Sequence, residues 1–530
     1  MLIGILVFGA TGTAFAQRWR DATTDCIGTT AQWTNKVEVA DVDGDGKVDI
    51  LMANGGNYDR PGTAEASRIW KNLGDWDAAG SHCTEISADA LGGTLGLSRV
   101  IKVADIDGDG DLDILTGGAY QTQLKLFTRT ATGWIDSSAQ LPQQATSVGD
   151  IEFGDVDGDG DLDMLIAEWG ATPPGNTNYP GGRTRLYLNT AGTFTDATTT
   201  NMPDLLVEWS WDVELVDVDN DWDLDALVSC KLCSTSLLFR NDGTGHFAND
   251  ATALPHFSNN YEFEAMDIDH DGDLDLVTLN DGAQLRDHLL LNDGTGVFTD
   301  ATTRLDTNPS ADDNMALWLD IDSDGDADLL IGSLGTDRLY LNDGTGNFTL
   351  AAGATPNDTS ATLGIAVADL DGDGRLDLVQ GQGESAFPDK IQRATDMVAI
   401  DTSPPVVRAE VVAGSIVARV HDHQSPSRAH DWQRVWAEVD GVEHDMSWYG
   451  EYLWRFTGTG TTVRVCATDR RGNTGCSDDG PVTGDGPITG DDTAIDPPGG
   501  GGGCCEAGSS PASAAFPLAL LALALLRRRR

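Results

Sequence analysis

Seven stretches of this chain place a carboxylate at almost every second residue. They read DVDGDGKVD from Asp41, DIDGDGDLD from Asp105, DVDGDGDLD from Asp155, DVDNDWDLD from Asp217, DIDHDGDLD from Asp267, DIDSDGDAD from Asp320 and DLDGDGRLD from Asp369. Positions 1, 3, 5 and 9 are aspartate in every copy. In order along the chain these are Asp41, Asp43, Asp45 and Asp49; Asp105, Asp107, Asp109 and Asp113; Asp155, Asp157, Asp159 and Asp163; and Asp217, Asp219, Asp221 and Asp225. The last three copies supply Asp267, Asp269, Asp271 and Asp275; Asp320, Asp322, Asp324 and Asp328; and Asp369, Asp371, Asp373 and Asp377. With a main-chain carbonyl at position 7, such a loop can wrap one hard cation. Calcium accepts six to eight oxygens at about 2.3–2.6 Å and tolerates irregular geometry. Clustered carboxylates repel one another unless a cation neutralises them, so the spacing predicts up to seven bound Ca2+ ions. Glycine at position 6 permits the sharp turn. The fourth copy departs there with Trp222, which puts the geometry of that loop in question.

Rival readings of the acidic loop fail on residues. An EF-hand needs flanking helices and a bidentate Glu at position 12, where this chain has Met52, Thr116, Ile166, Val228, Thr278, Ile331 and Gln380. A dockerin module fails for the same want of helices, and it uses two copies rather than seven. A near-complete oxygen cage suits calcium better than magnesium. Zinc would want Cys or His, which these loops lack apart from His270.

Each acidic loop lies between two runs of alternating apolar residues, Val37 and Val39 before the first and Ile50 and Met52 after it. A second theme recurs downstream: RLYLNTAGTFTDATT from Arg185, LLFRNDGTGHFANDAT from Leu237, HLLLNDGTGVFTDATT from His288 and RLYLNDGTGNFTL from Arg338. Asn-Asp-Gly-Thr-Gly between alternating runs signals a tight hairpin, because Asn and Gly tolerate positive φ. Each repeat thus supplies four antiparallel strands in roughly 50 residues, one propeller blade. The expected fold is all-β: a seven-bladed β-propeller over residues 17–400. The last repeat lacks the G-x-F-T-D-A-T segment, and Trp19-Arg20-Asp21-Ala22-Thr23-Thr24 matches it. The first residues after residue 16 are therefore expected to form the outer strand of the last blade, protecting an edge.

These motifs resemble the FG-GAP/VCBS repeat family, whose best-known relative is the integrin α-subunit propeller. The resemblance covers about residues 17 to 400. It implies calcium in the hairpins of one face and partners bound by loops of the opposite face.

Composition fits export. The chain carries 33 Lys+Arg against 85 Asp+Glu, a formal net charge of −52. That field repels nucleic acid and anionic lipid and attracts cations. Residues 1–16 end in Ala14-Phe15-Ala16, a signal-peptide pattern, although no Lys or Arg precedes the apolar run. Eight cysteines suit an oxidising compartment. Cys466 with Cys476 and Cys230 with Cys233 are expected to form disulfides, and Cys26 with Cys83 is a further possible pair.

Residues 401–480 alternate without acidic repeats, through Ile416–Val420, Tyr452–Phe456 and Val463–Cys466. About seven short strands here predict an Ig-like or fibronectin-like β-sandwich, expected as a spacer. His421 and His423 are taken as an exposed strand end rather than a metal pair. Residues 481–503 are a Gly/Pro/Asp-rich linker. Residues 504–530 hold Cys504-Cys505, an apolar stretch and a terminal Arg block, and resemble a MYXO-CTERM sorting tail. That resemblance implies processing or lipidation at Cys504 or Cys505 and anchoring at the outer surface of a Gram-negative bacterium.

No nucleophile–base motif, H-E-x-x-H or phosphate loop occurs, and the paired acids are accounted for as calcium ligands, so a binder is expected rather than an enzyme. The candidate partner surface is the face opposite the acidic hairpins, where long connections carry Tyr58, Arg60, Trp169 and Tyr179, with Trp209 nearby. Aromatic and charged anchors of this kind dominate binding sites. The expected partner is a protein or glycan at the cell surface. The alternatives are a hydrolase or lyase built on the propeller, or a structural surface component without a ligand.

Overall fold

The structure, a computed structural model, describes residues 16–57, 60–171, 180–280, 286–357, 361–477, 480–481 and 486–488. The expected signal segment, all but its last residue, the linker beyond its first residues, the C-terminal tail with Cys504 and Cys505, and Tyr58 and Tyr179 lie outside the described residues. Among the described residues no helix is long and apolar enough to cross a membrane.

The alternating runs form strands, and the strands form seven four-stranded antiparallel sheets. The first sheet runs Thr34–Ala40, Asp49–Asn54, Arg68–Asn72, Cys83–Glu85. The first strands of the other six are Ser98–Ala104, Val148–Gly154, Val213–Val216, Asn260–Met266, Asp313–Leu319 and Gly364–Ala368. Each first strand adjoins those of the sheets before and after it, and the seventh adjoins the first. The outer strand of the seventh sheet is Trp19–Asp21, which pairs antiparallel with Lys390–Ala394. Trp19 is 1% exposed and packs with Leu317, Leu330 and Ile365.

Hydrogen bonds hold each seam between sheets at the same height. In the NDGTG hairpins the Asn side chain donates to the position-2 carbonyl of the acidic loop in the preceding sheet: Asn241 to Val156 at 2.8 Å, Asn292 to Val218 at 2.8 Å and Asn342 to Ile268 at 2.9 Å. Asn189 does so to Ile106 at 3.0 Å and Asn72 to Leu370 at 2.7 Å. Where no Asn stands, arginine replaces it. Arg129 donates to Val42 at 2.7 Å, and Arg18, next to the closing strand, donates to Ile321 at 3.3 Å. A buried carbonyl left without a donor costs about 1–3 kcal/mol, so the hairpin Asn is a seam residue as well as a turn former.

Residues 406–488 form two further sheets. One is ordered Ser447–Gly450, Leu453–Thr457, Ser415–His421, Val406–Val412, Gly486–Ile488. The other contains Val442–Asp445, Trp432–Val439, Thr462–Asp469 and Thr474–Cys476. They share a core that includes Ala409, Ile416, Ala418, Val435, Ala437 and Val465. The expectation of a spacer is corrected, because the described residues belong to one compact unit and these sheets dock on the acidic-loop side of the ring. Disulfides join Cys26 to Cys83, Cys230 to Cys233 and Cys466 to Cys476.

Candidate metal centre

Strand register places the acidic loops. Ala40 pairs with Asp49 at one end of the first hairpin, and Thr34 with Asn54 at the other. The loop therefore caps one face of the ring, while the long connection beyond Asn54 leaves from the opposite face.

The loops share one backbone path. Position 4 has positive φ in every copy, whether Gly44, Gly108, Gly158, Asn220, His270, Ser323 or Gly372. Position 6 does too, at 86° for Gly46 and 71° for Trp222. Trp222 thus keeps the turn its side chain disfavours, and what holds it lies in the C-terminal sheets. Its indole donates to Glu410 Oε2 at 2.8 Å, its carbonyl accepts from Tyr449 Oη at 3.0 Å, and it is 6% exposed.

Within the loops the four aspartates divide the work. Position 1 accepts the position-6 amide, as in Gly46 to Asp41 at 2.7 Å and Gly160 to Asp155 at 3.1 Å. Position 9 clamps the hairpin, accepting from the third strand (Asn189 N to Asp163 Oδ1, 2.8 Å) and from position 2 (Val156 N to Asp163 Oδ2, 3.1 Å). One oxygen each of Asp43, Asp105, Asp107, Asp155, Asp217, Asp219, Asp267 and Asp269 is buried with no hydrogen-bond partner. Carboxylate atoms of Asp41, Asp43 and Asp45, and of the matching residues in the second, fourth and fifth loops, lie within 4.8 Å of one another, as do those of Asp155, Asp157 and Asp163 in the third. Converging, unpartnered carboxylate oxygens fit a hard cation.

Electrostatics point the same way. Burial, reinforced by the neighbouring aspartates, pushes Asp49 and Asp113 up to about 7, and Asp163 and Asp275 up to about 8. Basic side chains balance part of the charge: Lys71 at Asp43, Arg240 at Asp219 (2.7 Å) and Arg304 at Asp269 (3.1 Å).

The docked sheets reach the same carboxylates. Arg455 meets Asp155 at 3.2 Å, Arg419 meets Asp217 at 2.9 Å and Arg471 meets Asp369 at 2.6 Å, while Ser403 Oγ donates to Asp320 at 2.8 Å. Four of the seven position-1 aspartates are thus shared with the C-terminal region. No periodicity in the sequence announces these pairs.

A family of repeats matches three segments of the chain, residues 105–166, 267–331 and 320–379, and is described as the FG-GAP-like repeat. This chain carries FG-GAP-like repeats. No curated protein matches it. Among solved structures it is similar to an Agrocybe aegerita lectin, described for specific recognition of non-reducing terminal N-acetylglucosamine. Identity there is 18% over 70% of this chain and 86% of that one, with a TM-score of 0.42. The rhamnogalacturonan lyase YesW gives 14% identity over 73% of this chain and 77% of that one, with a TM-score of 0.38. The V. cholerae biofilm matrix protein Bap1 gives 15% identity over 86% and 75%, with a TM-score of 0.32. These scores are too low to bear on what this chain binds.

Two sequence expectations need correction. Trp169 and Trp209, expected as partner anchors, are 1% and 7% exposed. They pack with Trp211, whose ring stacks on Trp169 at 5.7 Å, beneath Arg99 and Lys231. Large rings next to a sheet core gain more from burial than from waiting in water. His421 and His423, expected at an exposed strand end, are each 3% exposed because the docked sheet buries that end against the ring. Arg60 begins the short strand Arg60–Thr63 of the first long connection.

Proposed function

We propose that this chain is a calcium-stabilised, seven-bladed propeller with an Ig-like cap, exported and displayed at a cell surface, and that it binds a protein or glycan rather than catalysing a reaction. The observation that carries the calcium part is the set of buried carboxylate oxygens at positions 1 and 3 that have no hydrogen-bond partner. Supplied with calcium, Asp43, Asp107, Asp219 and Asp269 would hold the ion with their position-1 and position-5 neighbours, while position 9 ties the site to the strands. The ion supplies charge neutralisation and cross-linking of the loop.

With four of the seven acidic loops engaged by the C-terminal region, the connections of the opposite face are the surface offered to a partner. They include those bearing Tyr58, Arg60 and Tyr179.

The test is a thermal melt of the full chain with calcium and with excess chelator, joined to metal analysis and to glycan and cell-surface binding screens. Several ions per chain, a large calcium-dependent rise in Tm and partner capture that is weakened by Arg60→Ala and lost on removal of the connections would agree. A melt indifferent to chelator would overturn the calcium reading.

A further inference from the structure

The first strands turn a second set of charged side chains toward the axis of the ring, away from the loops. They stand five and three residues ahead of each loop's first aspartate: Lys36 and Glu38, Asp150 and Glu152, Asp212 and Glu214, Glu262 and Glu264. The second sheet adds Lys102, while the sixth and seventh place Met315, Leu317 and Ala366 at these positions. Side chains two residues apart on a strand share a face, and here part of that face, from Lys36 and Lys102 to Glu262 and Glu264, lines a cavity of about 40 Å³. From the docked region, Arg428, Trp448 and Glu451 line it as well.

The cations in this cavity are already used. Lys36 pairs with Asp150 at 2.9 Å, Lys102 with Glu152, and Arg428 with Glu38. Among the described residues, no basic group stands within ion-pair distance of Asp212, Glu214, Glu262 or Glu264. Glu262 is 2% exposed, and its Oε2 has no hydrogen-bond partner. An unpaired carboxylate buried this deeply costs several kcal/mol, and four side by side add mutual repulsion. Glu451 contributes a further acid, with its own oxygen held by Ser427 N at 2.7 Å.

We propose that this cavity binds one divalent cation through the carboxylates of Asp212, Glu214, Glu262 and Glu264, a metal site separate from the seven acidic loops. An all-oxygen set selects a hard ion such as calcium. The volume suffices, since about 10–15 Å³ accommodates one water. Burial and like charge hold all four acids well above the usual carboxylate range, which is the condition a bound cation relieves. Because the innermost strands of two sheets and the cap meet here, the ion would tie the fourth and fifth sheets together at the axis.

The test uses the full chain. Crystals soaked in Mn2+ are expected to show an anomalous peak within the cavity, bonded to oxygens of Glu262 and Glu264. Native mass spectrometry in calcium is expected to count one ion fewer for the Glu262→Gln/Glu264→Gln variant than for the parent. Peaks at the acidic loops with only water in the cavity would overturn this proposal and leave the loop reading standing. A peak in the cavity with bare loops would do the reverse. If the double variant does not fold, the soaked parent crystals decide alone.

Discussion

Arg419 and Asp217 form a closed pair across the junction between the C-terminal sheets and the ring: Nη2 stands 2.9 Å from Oδ2, with the two side chains 4% and 0% exposed. The same guanidinium donates to the carbonyl of Asp217 at 3.1 Å and, through Nη1, to Asn220 Oδ1 at 3.0 Å. Removing one partner of a buried pair leaves the other charge uncompensated and costs about 3–5 kcal/mol. Arg419→Met is therefore expected to lower the urea midpoint of the whole unit. Asp217→Asn combined with Arg419→Met should recover part of that loss. A single variant that melts like the parent would show that the pair carries no docking energy.

The seam residues offer a second test. Asn292 donates to Val218 O and Leu274 O at 2.8 and 3.0 Å and accepts from Gly294 and Gly296. Asn292→Ala leaves both carbonyls without their donor, at about 1–3 kcal/mol. Hydrogen exchange should quicken first along the seam between the fourth and fifth sheets. Uniform exchange across all seams would contradict the assignment.

Trp222 provides the third. Replacement by glycine removes a left-handed strain of about 1 kcal/mol but also a buried ring whose loss costs about 3–5 kcal/mol. Trp222→Gly should restore the repeat consensus and still destabilise the chain. The expected signature is a lower Tm with calcium stoichiometry unchanged. A stabilised variant would mean that Glu410 and Tyr449 contribute little to docking.

Acidity supplies the fourth. In the calcium-free protein Asp49, Asp113 and Asp377 are raised to about 7, and Asp163 and Asp275 to about 8, against about 3.9 in an unfolded chain. A raised folded value favours the protonated fold. Its stability is complete below the unfolded value and is lost as pH climbs through the folded one. In chelator, Tm is expected to fall between roughly pH 5 and pH 8.5, and millimolar calcium should abolish the fall by taking the proton's place. A chelated melt that is flat across that window would sink the argument.

Much of this organisation is local and could be read ahead of the structure. The acidic loops and NDGTG turns depend on neighbours a few residues away, so Asp163, Gly160 and Asn292 declare themselves. The outer strand Trp19–Asp21 was legible because it completes a pattern the last repeat lacks. What escaped is long-range. Nothing near Arg419, Arg455 or Arg471 points to aspartates about one to three hundred residues earlier, and so the sequence alone suggests a spacer where the C-terminal sheets dock. Trp169 and Trp209 looked like anchors because sequence cannot tell a ring on a surface loop from one folded back on its own sheet. The axial acids carry a signal of their own: charges five and three residues before a loop.

Closure through Trp19–Asp21 also sets an order of events. The strand made first must wait for Lys390–Ala394, and Arg18 must wait for Met397, whose carbonyl it meets at 3.1 Å. A contact this distant in the chain is among the slowest to form. Until it does, the seventh sheet has an open flank, so any truncation before residue 394 leaves a ring that cannot latch, however many complete sheets precede the break.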